Sequence, residues 1–127
     1  MTILEIGYIK LTVDIAYAFD FFSILEVKCI KTNEQNLETL NNKNKYKSEI
    51  IDQIGLELYD KIINSPEYKE LFNINYKLFS VIDEAKKGGV DAIAIDNLNW
   101  FRFLAKKEIQ RKYFNSEVSE QKFGYEK

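Results

Sequence analysis

Apolar residues recur every three or four positions along most of the chain, a spacing that predicts helices. The exception is the start. Ile9, Leu11 and Val13 alternate with Lys10 and Thr12, the period of a half-buried strand, and Gly7 would allow a hairpin between Ile3–Ile6 and Tyr8–Val13. Asp14 then stands at an N-cap position, and a helical pattern runs to about Thr32. Ile15, Ala18, Phe19, Phe22, Leu25, Cys29 and Ile30 form one broad apolar arc on this helix. The opposite side carries Asp20 and Lys31 but also Ile24 and Val27, which predicts a central helix with little surface left to water.

A second pattern covers residues 34 to 63. Leu37, Leu40, Ile50, Ile51, Ile54, Leu58 and Ile62 keep one phase across the polar run Asn41–Lys45, so one long helix is expected. Asn64-Ser65-Pro66 marks the clearest boundary. Ser65 can cap, Pro66 suits a first helical position, and Glu67 and Glu70 favour the positive end of the helix dipole. A third helix to about Lys87 carries Leu71, Ile74, Leu78, Phe79 and Ile82 on its apolar arc, with Asn75 embedded among them. Past Gly88-Gly89, read as a helix terminus and turn, residues 90 to 95 are too short to classify. A last helix is expected over residues 96 to 114. It is apolar on two sides: Leu98, Phe101, Ala105, Ile109 and Tyr113 on one, Trp100, Phe103, Leu104 and Phe114 on the other. Such a helix must be covered twice: either it lies inside the bundle, or the second group is an oligomer interface, the reading preferred here. The tail from Ser116 is polar and expected to be extended.

A chain of 127 residues, 46% hydrophobic, is the size of one domain and can bury a core without staples. The whole chain is therefore taken as a single domain. A net charge of -2 gives no global attraction to nucleic acid or to acidic lipid. One cysteine and no histidine change the picture most. They exclude a zinc site and a Ser-His or Cys-His catalyst within one chain. They also fit a reducing compartment. No apolar run is long enough to span a bilayer and no leader pattern opens the chain, so a cytoplasmic location is expected.

Few polar residues stand where polarity is costly. Glu26 falls inside the apolar arc of the first helix, where a carboxylate must find a cation, take a proton or reach out to water. Arg102 lies on the apolar side of the last helix and is the natural partner for Glu26, or an anchor for an anionic ligand. Asn99 is one turn earlier and Lys106 one turn later, so the three line one flank. The run from Trp100 to Lys107 mixes aromatics with cations, as single-strand binders do, but the aromatics sit at core spacing. The acidic pairs Glu49/Asp52, Glu57/Asp60 and Glu67/Glu70 make no complete metal set, because the second lies off the apolar face and the third is explained by the helix start.

Two blocks carry a resemblance. The first is Ala18-x-Asp20-x-x-Ser23-Ile24-Leu25-Glu26-Val27-Lys28. The second is Asn99-x-x-Arg102-x-x-x-Lys106-x-x-Ile109, followed by Ser116-Glu117-Val118-x-Glu120-x-Lys122. Their order resembles a family of short, uncharacterised bacterial and phage-type proteins of about this length. Tyr17, Phe21 and Gln110 depart from that family's usual residues. The resemblance implies a helical architecture and no set activity, cofactor or partner. It also marks Asp20, Glu26, Arg102 and Lys106 as the positions to watch.

The expectation is thus a mainly α bundle of three to four amphipathic helices, with a short N-terminal strand or hairpin and an extended C-terminal tail. The leading functional reading is a non-catalytic interaction or assembly protein that self-associates. The alternatives are a small all-α enzyme or binding protein for an anionic metabolite, using Asp20, Glu26, Asn99, Arg102 and Lys106, and a nucleic-acid accessory protein. No cofactor, metal or membrane partner is expected.

Overall fold

The computed structural model describes residues 7–32, 36–86, 88 and 92–119, and these form five helices: α1 (Ile15–Lys31), α2 (Leu37–Ile54), α3 (Leu56–Ile63), α4 (Pro66–Lys86) and α5 (Ala92–Phe114). None of these helices is long and apolar enough to cross a membrane. The mainly α bundle is as expected.

α1 is the hub, touching α2, α4 and α5. Its buried residues, Ala16, Phe19, Asp20, Phe22, Ser23, Leu25, Val27 and Cys29, wrap well beyond one stripe, as its two-sided apolar pattern requires. α4 and α5 share the most extensive contact and run antiparallel, joined across residues 87 to 91. The core brings Phe19 and Phe22 of α1 against Tyr59 and Ile62 of α3, Tyr68 and Leu71 of α4, and Ile109 of α5. Each such side chain contributes about 1.5–3 kcal/mol by leaving water. The rings interlock: Phe19 stacks on Tyr59 at 6.2 Å, and Tyr68 meets Phe19 edge-on at 6.1 Å.

The long second helix is corrected to two. The polar run Asn41–Lys45 stays helical within α2, and the break falls at Gly55. This glycine has φ 91° and ψ 151°, a conformation that an L side chain rarely adopts, and it ends α2 while it starts α3. Turning the chain there lets Tyr59 and Ile62 enter the core while α2 contributes Ile50 as its buried residue. The α3–α4 boundary behaves as the sequence predicts. Ser65 Oγ accepts from the Tyr68 N–H at 3.2 Å and Pro66 takes the first helical position.

The N-terminal strand is also corrected. Among the described residues no strand forms, and residues 7–14 run without regular structure. Ile9 is 80% and Leu11 74% exposed, since a strand needs a neighbouring ladder and the bundle presents no sheet edge to pair with. The hairpin arm Ile3–Ile6 lies outside the described residues. The tail does return to this end of the molecule, through side chains. Asn115, with φ 48°, closes α5 in the left-handed conformation, and its N–H reaches Arg111 O while the Ser116 N–H reaches Gln110 O. Val118 then packs on the core, and the N–H and hydroxyl of Ser119 both donate to the Asp14 carboxylate, at 2.6 and 3.0 Å. Asp14 occupies the N-cap position without capping α1 by its side chain.

Gly55→Ala should destabilise the fold by about 1–3 kcal/mol, because a Cβ meets no atom there and the whole cost is backbone strain. Urea unfolding would read this as a lower midpoint at an unchanged slope.

Candidate functional site

The most deeply buried charged group among the described residues is Asp20, 2% exposed on the inner face of α1. An isolated carboxylate there would be prohibitively costly, so the elements packed against it supply donors. From α5, Arg102 presents its fork: Nε lies 2.9 Å from Oδ1 and 3.1 Å from Oδ2, and Nη2 lies 2.6 Å from Oδ2. Lys106, one turn on and also buried, holds its ammonium 3.8 Å from Oδ2 and 5.9 Å from the Tyr17 ring centre. From α4, the Asn75 amide donates to Asp20 Oδ1 at 2.9 Å and to Ser23 Oγ at 2.7 Å. The Ser23 hydroxyl in turn donates to the Asp20 carbonyl at 2.7 Å. Two turns beyond Arg102, the Gln110 side chain accepts the Ala16 N–H at 2.9 Å. This caps the start of α1 from another helix, in place of Asp14.

Asp20, Arg102 and Lys106 thus come together in one cluster, and Asn75 joins them. The expected pairing of Arg102 with Glu26 is corrected to Asp20. Glu26 lies six residues further along α1, about 9 Å down the axis and on another side. Asn99 contributes no hydrogen bond to the cluster among the described residues. Ser23 and Gln110 are site residues that sequence reasoning did not select, since a serine or glutamine inside a helix carries no signal until its partner is known. Among the described residues no buried side-chain nitrogen or oxygen lacks a partner. The Asp20 cluster is therefore a closed knot. Its carboxylate is surrounded by protein donors and offers no open acceptor to a substrate.

Glu26 instead accepts a hydrogen bond from the Tyr68 hydroxyl, and no cation of the described residues pairs with it. Burial and the Glu26 charge hold the Tyr68 phenol far above its ordinary range. Burial, with Glu26 and then Asp60, pushes the Tyr59 phenol up to about 12. Glu26 and Tyr68 line an open depression of about 320 Å³ together with Ile63, Lys69, Phe72 and Asn73.

The cations of the last turns of α5 are largely engaged. Lys112 and Tyr113 both donate to Glu67, and the Lys112 hydrogen bond holds the Glu67 carboxyl below the usual carboxylate range. Arg111 Nη2 donates to both oxygens of Glu108 at 2.8 Å. Among the described residues no group of three or more acidic or cysteine side chains gathers as a metal set.

The expected interface residues divide. Phe114 packs on the core and leaves the outer face. Trp100 and Phe103 are half-buried and meet each other at 5.6 Å, and Leu104 is 39% exposed. Phe101, assigned from periodicity to the inner face, is 51% exposed, because Arg102 and Ala105 point inward and place it at the boundary. The chain matches no protein-family model, no curated protein and no solved structure.

Arg102→Met should cost on the order of 3 kcal/mol in urea unfolding by stranding a buried carboxylate, and Arg102→Lys should recover little, lacking the fork. Adding Asp20→Leu to Arg102→Met should recover part of that loss. The raised Tyr59 pKa means that its contribution is full below about pH 10 and is lost as pH rises to about 12, because only the unfolded chain releases the proton in between. Tyr59→Phe should make that stretch of the stability–pH curve less steep, leaving the slope that Tyr68 contributes.

Proposed function

We propose that this chain is a non-catalytic interaction protein that self-associates through the outer face of α5. The supporting observation is the clustering of Trp100, Phe101, Phe103 and Leu104 in five residues of a helix whose inner face is already covered. At 100° per residue, Ile93, Trp100 and Leu104 fall on one line of that outer face, and Ile93 is exposed as well. Isolated exposed apolar residues are ordinary, but neighbouring ones that form a patch mark an interaction surface.

A second copy is the occupant that the charge order favours. Asp96 lies toward the N-terminal end of the stripe, and Lys107 lies toward its C-terminal end. Two α5 helices laid antiparallel about a two-fold axis near Trp100 and Leu104 bring acid to base at both ends and aromatics together between. The anionic-metabolite reading has less support, because Arg102 and Lys106 are both turned onto Asp20. The nucleic-acid reading is weakened in the same way by the engagement of Arg111 with Glu108 and of Lys112 with Glu67.

Native mass spectrometry and light scattering should find a dimer for the wild-type chain. Leu104→Glu should yield a monomer with an unchanged circular-dichroism spectrum and a dissociation constant raised at least about tenfold. A wild-type chain that stays monomeric at every concentration would overturn the reading.

A further inference from the structure

We propose that the depression beside Glu26 binds a small organic cation, a primary ammonium or guanidinium group, independently of the α5 face. The site is built where the second half of α1, the end of α3 and the first turns of α4 meet. Its floor is a half-buried carboxylate whose position is fixed by the Tyr68 hydroxyl, itself set in the aromatic core. A carboxylate drawn out of water is stabilised by a nearby cation. Asp20 has Arg102 and Lys106, and Glu67 has Lys112, whereas Glu26 has a neutral phenol.

The rest of the lining selects the ligand class. Phe72 supplies an aromatic ring and Ile63 an aliphatic wall, so an alkyl stem can lie on them while its charged head reaches Glu26. The Asn73 side chain can add a carbonyl acceptor. An anion is refused by the carboxylate. A divalent metal ion would need several oxygen ligands, and the lining has one carboxylate. Lys69, also on the lining, makes no ion pair with Glu26. It is placed to repel an incoming cation and so to weaken the site.

The test is a titration of the ¹⁵N-labelled chain with butylammonium chloride, followed by amide shifts against a sodium chloride control of equal ionic strength. Saturable shifts are expected at Glu26, Tyr68, Phe72 and Asn73, with a midpoint on the order of 10 mM. Glu26→Gln keeps an acceptor for the Tyr68 hydroxyl and removes the charge, so saturation should vanish while the spectrum stays dispersed. Lys69→Ala should lower the midpoint about twofold at low salt. If the Glu26 variant does not fold, Phe72→Leu carries the test, since losing the ring face should raise the midpoint about threefold. No saturable shifts, shifts equal to those in sodium chloride, or a midpoint unmoved in these variants would overturn the proposal. N-acetyl-lysine methylamide in place of butylammonium distinguishes the source. Tighter binding would assign a protein lysine, and weaker binding a free amine; both support the site.

Discussion

A carboxylate buried on the inner face of the first helix is the constraint around which this bundle is arranged. Asp20 has to be met by donors, and those donors are distributed over α4 and α5 in a way that tolerates one register. Arg102 and Lys106 stand one turn apart on α5 and both reach the same oxygen. Further along, Gln110 reaches Ala16, and beyond it Ser119 reaches Asp14. Contacts that advance along α5 and retreat along α1 define an antiparallel pair, pinned at three heights by polar groups. Sliding α5 by a turn would carry the Arg102 fork away from Asp20, and packing alone specifies no such point. Because desolvation offsets much of the Coulomb attraction in such a pair, its contribution lies more in geometry than in net stability.

The same helix shows how environment decides what a carboxylate becomes. Asp20 sits among cations and is enclosed. Glu26 sits at the margin of the aromatic layer, held by one hydroxyl, and remains beside open space. Burial raises both the Tyr59 and the Tyr68 phenols, and the Glu26 charge, felt inward, adds to that shift. The aromatic layer thus joins α1, α3 and α4 through rings and the polar knot joins α1, α4 and α5 through hydrogen bonds, with α1 common to both.

Helix positions were largely legible in the sequence because amphipathic spacing and the Ser65-Pro66 boundary are local signals. Gly55 was hidden for a physical reason. Ile54 and Leu58 keep helical spacing across it, so periodicity cannot register a backbone turn that leaves the apolar phase intact. Ile9, Leu11 and Val13 misled in the opposite sense: alternation states which face would be buried and is silent on whether a neighbouring strand exists. Within the site, Arg102 could be singled out because charge on an apolar face is costly wherever it occurs, and Lys106 as the cation one turn on along the same flank. Asp20 was marked by the resemblance alone, its place on the wheel being opposite the apolar arc. Which charge meets which could not be read. A helical wheel gives the direction of Glu26 and of Asp20 but not the height at which α5 crosses them, and that height assigns Arg102 to Asp20.

The knot has a consequence in time. The partners Asp20 and Arg102 are 82 residues apart, and Ala16 and Gln110 are 94 apart. On a ribosome adding about 5–20 residues per second, the first helix waits roughly 4–16 s for the arginine that neutralises it. Throughout that interval its inner face carries an unmatched negative charge, and burying that face against any premature apolar neighbour is costly. The cost of burying Asp20 without Arg102 thus disfavours closing the hub of the bundle before the last helix has been made.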